Sequence, residues 1–275
     1  MRRFTIVSLL IIAMMAMSLQ VFSQYRRGSG IKFGFTGGMN LNNIAQNYDF
    51  AQRDNEVSNQ VRLGLRIGPT VEYKLDKNFS LQSGLHLVTK GYGIDLLSDA
   101  KEASQDSLGQ YVPTEELDYT DDSKAYTNLY YMEIPIKFAY RSDNLQVFAG
   151  PYLGFNLGGK QVKDGTISYD GKIGDIENHG KMEYDQETNI KPSFGAVDPE
   201  DMMDAMMEGD AYMAGFDFGF NFGAGYRVDN LMINAGYSIG LANLNPNIDV
   251  EGYERSSSKQ KNRVVYFSVS YFLDM

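Results

Sequence analysis

Between residues 213 and 227 the chain reads MAGFDFGFNFGAGYR, an alternation strict enough to dictate one backbone conformation. Successive side chains of an extended strand point to opposite faces, so Phe216, Phe218, Phe220, Phe222 and Tyr226 share one face. Gly215, Asp217, Gly219, Asn221, Gly223, Gly225 and Arg227 share the other. A helix would scatter both sets around its axis. The strand must therefore lie between two unlike surroundings, one of which accepts a continuous row of aromatic rings.

Seven further stretches repeat the pattern, at 31–41, 61–73, 79–90, 129–140, 145–157, 231–241 and 264–273. In 129–140, for example, Tyr130, Met132, Ile134, Ile136, Phe138 and Tyr140 oppose Tyr131, Glu133, Pro135 and Lys137. The class is all-β. Strands two, four and six are followed by KLDKN, RSDN and VDN, whose Asp and Asn side chains suit tight turns. The odd-numbered strands are followed by long segments at about 42–60, 92–126, 158–212 and 242–261. Short turns at one end and long loops at the other describe an eight-stranded antiparallel up-and-down transmembrane β-barrel with long extracellular loops.

Alternation alone would also fit a soluble barrel with its apolar residues inside, and side-chain volume separates the two. An eight-stranded barrel has an interior just wide enough for side chains to fill. The polar faces carry the glycines, among them Gly34, Gly64, Gly84, Gly150, Gly219 and Gly236, whereas the apolar faces carry Phe, Tyr, Leu and Ile almost without a break. Eight strands of bulky residues overfill such a lumen, and glycines with a few charges do not. The phenylalanines are thus expected to face outer-membrane lipid. Ten residue steps from Phe216 to Tyr226, at about 3.4 Å each and tilted by roughly 40°, match the ~25 Å apolar band of such barrels. Tyr73, Tyr140, Tyr226 and Tyr271 stand at strand ends, where an aromatic girdle belongs.

Export is read from MRRFTIVSLLIIAMMAMSLQVFS, two arginines and then an apolar run. Residues 1–23 are expected to be a cleaved signal peptide, 24–30 a short periplasmic segment and 31–275 the barrel in a Gram-negative outer membrane. The run is shorter than the roughly 20 residues of a spanning helix. The chain has no cysteine, so neither thiol chemistry nor disulfides are available. A net charge of -10 argues against nucleic acid as a partner. That charge is concentrated in the four long segments, which hold 28 acidic against 11 basic residues. Proline removes a ladder hydrogen bond and normally sits at edges or bulges. Bulges are therefore expected at Pro69, Pro135 and Pro151, since a closed sheet has no edge.

IKFGFTGGMNL, YYMEIPIKFAY, VFAGPYLGFNLGG and NAGYSIGLANL, in that order, resemble the PorT-like, porin-family outer-membrane β-barrel domain proteins. Glu133 to Lys137 (EIPIK), followed by Gly150 and Pro151 of the next strand, is the strongest piece. The likeness covers the strands and little of the loops. It implies location and fold; a pore does not follow from the word porin.

Inward positions carry Lys32, Arg62, Arg66, Glu72, His86, Lys90, Glu133, Lys137, Asp217 and Arg227. Buried charges must be paired, so these are expected to form a salt-bridged plug in preference to an ion path. Glu133 and Lys137 are too far apart along one strand to pair, and Arg62, Arg66 and Glu72 are the candidate partners from other strands. An enzyme would need a base beside a nucleophile. The only histidines are His86 and His179, and Ser83 lies on the opposite face from His86. No catalytic group, cofactor or metal site is expected.

In the longest loop DPEDMMDAMMEG reads as a short helix, with Asp198 as N-cap, Pro199 first and Gly209 as the stop. Its Met202, Met203, Met206 and Met207 suit contacts with other loops or a partner better than a Cu(I) site. Asp121 and Asp122 read as solvated surface more readily than as a weak Ca²⁺ site. The chain is expected to be a surface or accessory component whose segments 92–126 and 158–212 meet other envelope or secretion proteins. A small porin-like channel and, further off, a lipid- or peptide-processing enzyme are the alternatives.

Overall fold

A computed structural model describes residues 30–46, 55–105, 111–173, 176–248 and 259–273, so the expected signal peptide lies outside the described residues. The first half of the chain forms β1 (Ile31–Gln46), β2 (Asn55–Gln60), β3 (Arg62–Lys74), β4 (Phe79–Gly84), β5 (His86–Gln105) and β6 (Tyr111–Ser142). The second half forms β7 (Leu145–Ile173), β8 (Ile176–Ser193), β9 (Ala196–Val197), α1 (Pro199–Met207), β10 (Asp210–Ala214), β11 (Phe216–Val228), β12 (Leu231–Gly240), β13 (Asn247–Ile248) and β14 (Gln260–Phe272).

Followed from strand to strand, the antiparallel pairings return to their start. β1 pairs with β3, β3 with β4 and β5, these with β6, and β6 with β7. β7 then pairs with β11, β11 with β12, β12 with β14, and β14 with β1 from Gly34↔Phe272 to Gln46↔Gln260. The sheet is closed on itself, and the alternation places one face outward along every member. Phe216, Phe218, Phe220 and Phe222 are 43–52% exposed, while Asp217 and Asn221 between them are fully buried. Leu63, Leu65, Ile67, Phe138, Phe267 and Val269 continue the outer apolar face. An exposed apolar belt of this extent is far more than a protein in water carries.

The tight turns follow β3, β6 and β11. Asp143 and Asp229 take φ values of 53° and 51°, the left-handed region that Asp tolerates. In the first turn Asp76 Oδ1 accepts the backbone N–H groups of Asn78 and Phe79, both at 2.7 Å. The tyrosines named above stand at this end, exposed.

The prolines occupy no bulge. Thr70↔Gly84 and Ile67↔Leu87 keep one register across Pro69, with only the ladder at that point interrupted. Ser83↔Ile136 and His86↔Glu133 do the same around Pro135, and Pro135↔Tyr152 and Phe138↔Ala149 around Pro151. Each proline lies where one hydrogen bond is omitted, and the three gaps fall on a diagonal across neighbouring strand pairs. The strands approach closely there, since a Cβ added to Gly150 would stand 1.9 Å from the Ile136 carbonyl oxygen. The register shift in the spanning part of the sheet lies between Tyr130↔Gly158 and Tyr131↔Asn156, where Gly158 takes φ 110°.

The long segments are also more regular than expected. β6 runs for 32 residues and β7 for 29, and they stay paired as far as Leu117↔Gly171. β5 and β8 continue with them, so a sheet stands beyond the loop end of the closed part. Both of its faces meet water, so it has no apolar alternation to betray it. α1 forms where expected, and it lets β10 return parallel to β8 from Asp210↔Asn189 to Ala214↔Ser193. The single strand expected at 213–227 is therefore two, divided at Gly215.

The backbone N–H groups bonded to Asp76 hold its exposed carboxyl below the usual carboxylate range. A group with a lowered folded pKa adds stability above its unfolded pKa and loses it as pH falls through the folded value. Asp76→Ala should thus unfold more readily in urea than the parent at neutral pH, with the gap narrowing as the medium is acidified below the usual carboxylate range.

Candidate functional site

The candidate site is the interior, and alternation builds it: odd positions of β6 and β11 and even positions of β1, β3, β4, β5, β7, β12 and β14 point inward. All ten expected inward residues lie on this face. Arg66, Glu72, His86, Lys90, Glu133, Lys137 and Asp217 are buried, whereas Lys32, Arg62 and Arg227 are half-buried.

They separate into two layers. In the first, Glu133 receives Arg66 Nη1 at 2.8 Å on Oε1 and Lys90 Nζ at 3.0 Å near Oε2. Lys90 Nζ also lies 2.8 Å from Asp217 Oδ2, which accepts Asn262 Nδ2 at 2.8 Å and the Tyr152 hydroxyl at 3.2 Å. Lys90 stands over the rings of Tyr152 and Tyr131, at 4.3 and 5.1 Å. Arg66 stands over Tyr266 at 4.5 Å. Removing either partner of such a buried pair would leave a charge uncompensated, and among the described residues Arg66 Nε and Nη2 are buried without a hydrogen-bond partner.

The second layer lies next to the tight turns. Glu72 accepts Arg141 Nη2 at 2.5 Å and Gln82 Nε2 at 3.1 Å on Oε1, and Arg227 Nη2 at 2.7 Å on Oε2. Gln146 accepts from Arg141 at 2.9 Å and from Gln82 at 3.0 Å. Of the expected partners, Arg66 does meet Glu133, but Glu72 meets Arg141 and Arg227 and not Lys137. Arg62 stands over Tyr126 at 4.6 Å, and Lys137 faces the rings of Phe148 and Tyr266 at 4.7 and 5.1 Å. Above the charged layers, Ile44, Tyr92, Leu129, Met213 and Leu244 form an apolar cluster toward the loop end.

Arg141 and the bridging Gln82 and Gln146 are missing from the sequence reading as charge partners. Arg141 belongs to the stretch that looks like a turn, yet it continues the inward phase of Glu133 and Lys137, which is the signal that finds it. Ser83 Oγ donates to the Pro135 carbonyl at 2.8 Å, and His179 pairs with Asp170 in the outer sheet. Asp121 accepts from the Tyr184 hydroxyl, and among the described residues no group of three or more His, Asp or Glu is placed to hold a metal ion. On α1, Met203, Met206 and Met207 are exposed and Met202 is half-buried.

A model of the outer membrane protein beta-barrel domain matches residues 22–245. The chain belongs to that family. It is an outer-membrane β-barrel protein. No curated protein matches it. Among solved structures, the attachment invasion locus protein Ail of Yersinia pestis is similar at 8% identity and a TM-score of 0.33, covering 89% of this chain and 99% of that one. Neisserial surface protein A is similar at 9% identity and a TM-score of 0.29, covering 87% and 96%. The outer-membrane channel DcaP of Acinetobacter baumannii is similar at 11% identity and a TM-score of 0.21, covering 90% and 99%. The family match, not these distant likenesses, carries the assignment of the barrel to the outer membrane.

Removing one member of a buried charge cluster leaves the others uncompensated, at a cost of about 3–5 kcal/mol. Lys90→Met should lower stability by that order in urea unfolding from lipid vesicles. Adding Asp217→Asn to Lys90→Met should restore part of the loss, since one orphaned carboxylate is then gone.

Proposed function

We propose that this is an eight-stranded transmembrane barrel with a closed lumen, working as a surface or accessory component of the envelope. What carries the reading is the interior itself: two layers of paired charges and an apolar cluster occupy the axis along which a solute would travel. A path for ions requires water-filled width, and eight strands supply only enough for side chains. The PorT-like resemblance of the strands supports the same class. In this orientation the tight turns face the periplasm and the acidic sheet formed by β5, β6, β7 and β8 stands outside the cell. The regions 92–126 and 158–212 are then the surfaces offered to other envelope or secretion proteins, with the exposed methionines of α1 as adaptable contacts. The export signal and its cleavage belong to the same proposal.

Planar-bilayer recordings of the purified protein should show no steady conductance, and reproducible open levels would overturn the closed lumen. For orientation, Phe220→Arg should block membrane assembly, since a charge on the lipid face near mid-depth costs about 2–4 kcal/mol. Asn221→Ala on the opposite face should assemble, and equal tolerance of both would refute the assignment of the two faces.

A further inference from the structure

The two charged layers do not share their charges evenly. Both oxygens of Glu133 are turned to Arg66 and Lys90, and Asp217 is turned to Lys90. Among the described residues Lys137, 9% exposed, forms no ion pair with a carboxylate, and it faces two aromatic rings. Beside it, His86 is 3% exposed, and among the described residues neither of its ring nitrogens has a hydrogen-bond partner. Arg66 keeps two nitrogens, Nε and Nη2, without partners as well. These three side chains line one small cavity between the layers, of about 20 Å³.

The rest of the wall is neutral. No carboxylate takes part, and the Thr70, Ser83 and Gln82 donors are committed elsewhere while Thr36 and Ser270 bond each other, so the charged groups are chiefly what the wall has left to offer. A lone buried ammonium group is strongly disfavoured unless something compensates it. About 10–15 Å³ is enough for one water-sized species, so the cavity holds a single small occupant and nothing the size of a phosphate or carboxylate with its shell. Arg66 Nε and Nη2 and the His86 ring have no hydrogen-bond partner among the described residues, and with the Lys137 ammonium beside them and no anion in the wall they suit a monatomic anion.

We propose that the cavity between Lys137, His86 and Arg66 is a binding site for one chloride-sized anion, which enters during assembly and completes the charge balance of the interior. It rests on the closed lumen proposed above. An open channel would appear as conductance in the bilayer recording whatever the anion does, so the two ideas fail separately.

The test folds the full-length barrel into detergent at neutral pH in chloride, bromide or gluconate at one fixed ionic strength, then measures its thermal unfolding. With halide at tens of times its dissociation constant the midpoint should be higher by about 5 °C than in gluconate. Its rise should go as the logarithm of one plus the halide concentration over a single dissociation constant. Lys137→Met, which keeps the length of the side chain and removes its charge, should abolish the dependence. Crystals of the parent protein grown in bromide should show one anomalous peak in the cavity, a readout that does not need the variant to fold. A midpoint indifferent to the anion, a dependence equal in parent and variant, or a cavity holding only water would each overturn the proposal.

Discussion

A backbone surrounded by hydrocarbon must satisfy every N–H and C=O within itself, and in a sheet this is possible only when the last strand finds the first. The pairing of β1 with β14 meets that demand over 13 consecutive residue pairs, from Gly34↔Phe272 to Gln46↔Gln260. Much else follows from it. Closure fixes which face is inside, and the inside is too narrow for the rings of the outer face. Small residues, paired charges, a limited set of tyrosines and one apolar cluster therefore share the interior, and most of the large apolar side chains are left to lipid.

Closure also changes what a polar interior is for. In a soluble protein Glu133, Lys90, Asp217 and Arg66 together would be weak evidence for stability, because apolar side chains of the same volume do as well. Here the outside is already apolar, and a period of two along every strand reserves the inside for the opposite kind of residue. The charges are held by cross-strand partners far apart in sequence, Arg66 with Glu133 and Lys90 with Asp217. Each such pair ties together strands that are not neighbours in the ring, as Lys90 of β5 and Asp217 of β11 are not.

The spanning part was legible in the sequence because two different solvents impose the alternation directly on it. The inward phase of Arg66, Glu133 and Asp217 could be read from their odd or even positions, whereas their partners could not, since register between strands is set by the ring as a whole. Arg141 was hidden by its turn-like neighbours Ser142, Asp143 and Asn144. The outer reach of β6 and β7 was hidden for a different reason: Tyr119, Thr120, Thr166 and Tyr169 suit strands, but water on both faces leaves acidic residues free to interrupt any pattern. Pro69, Pro135 and Pro151 pointed to bulges because a single strand pair must shift to accommodate a missing donor. A diagonal of aligned gaps needs three pairs at once to be seen.

The length of β6 and β7 bears on what the acidic residues can feel. Their pairing continues from Tyr130↔Gly158 to Leu117↔Gly171, beyond the part of the sheet that carries the apolar belt. At about 3.3 Å per residue that is on the order of 40 Å of strand. Salt at physiological strength screens a charge within about 8 Å. Asp118 and Asp170 therefore stand several screening lengths from the lipid headgroups, and their repulsion from an anionic membrane surface is extinguished by the intervening electrolyte. The arm can carry a dense negative charge without being pushed by the surface in which it is rooted, and a cationic molecule drawn to its far end meets a field that belongs to the protein alone.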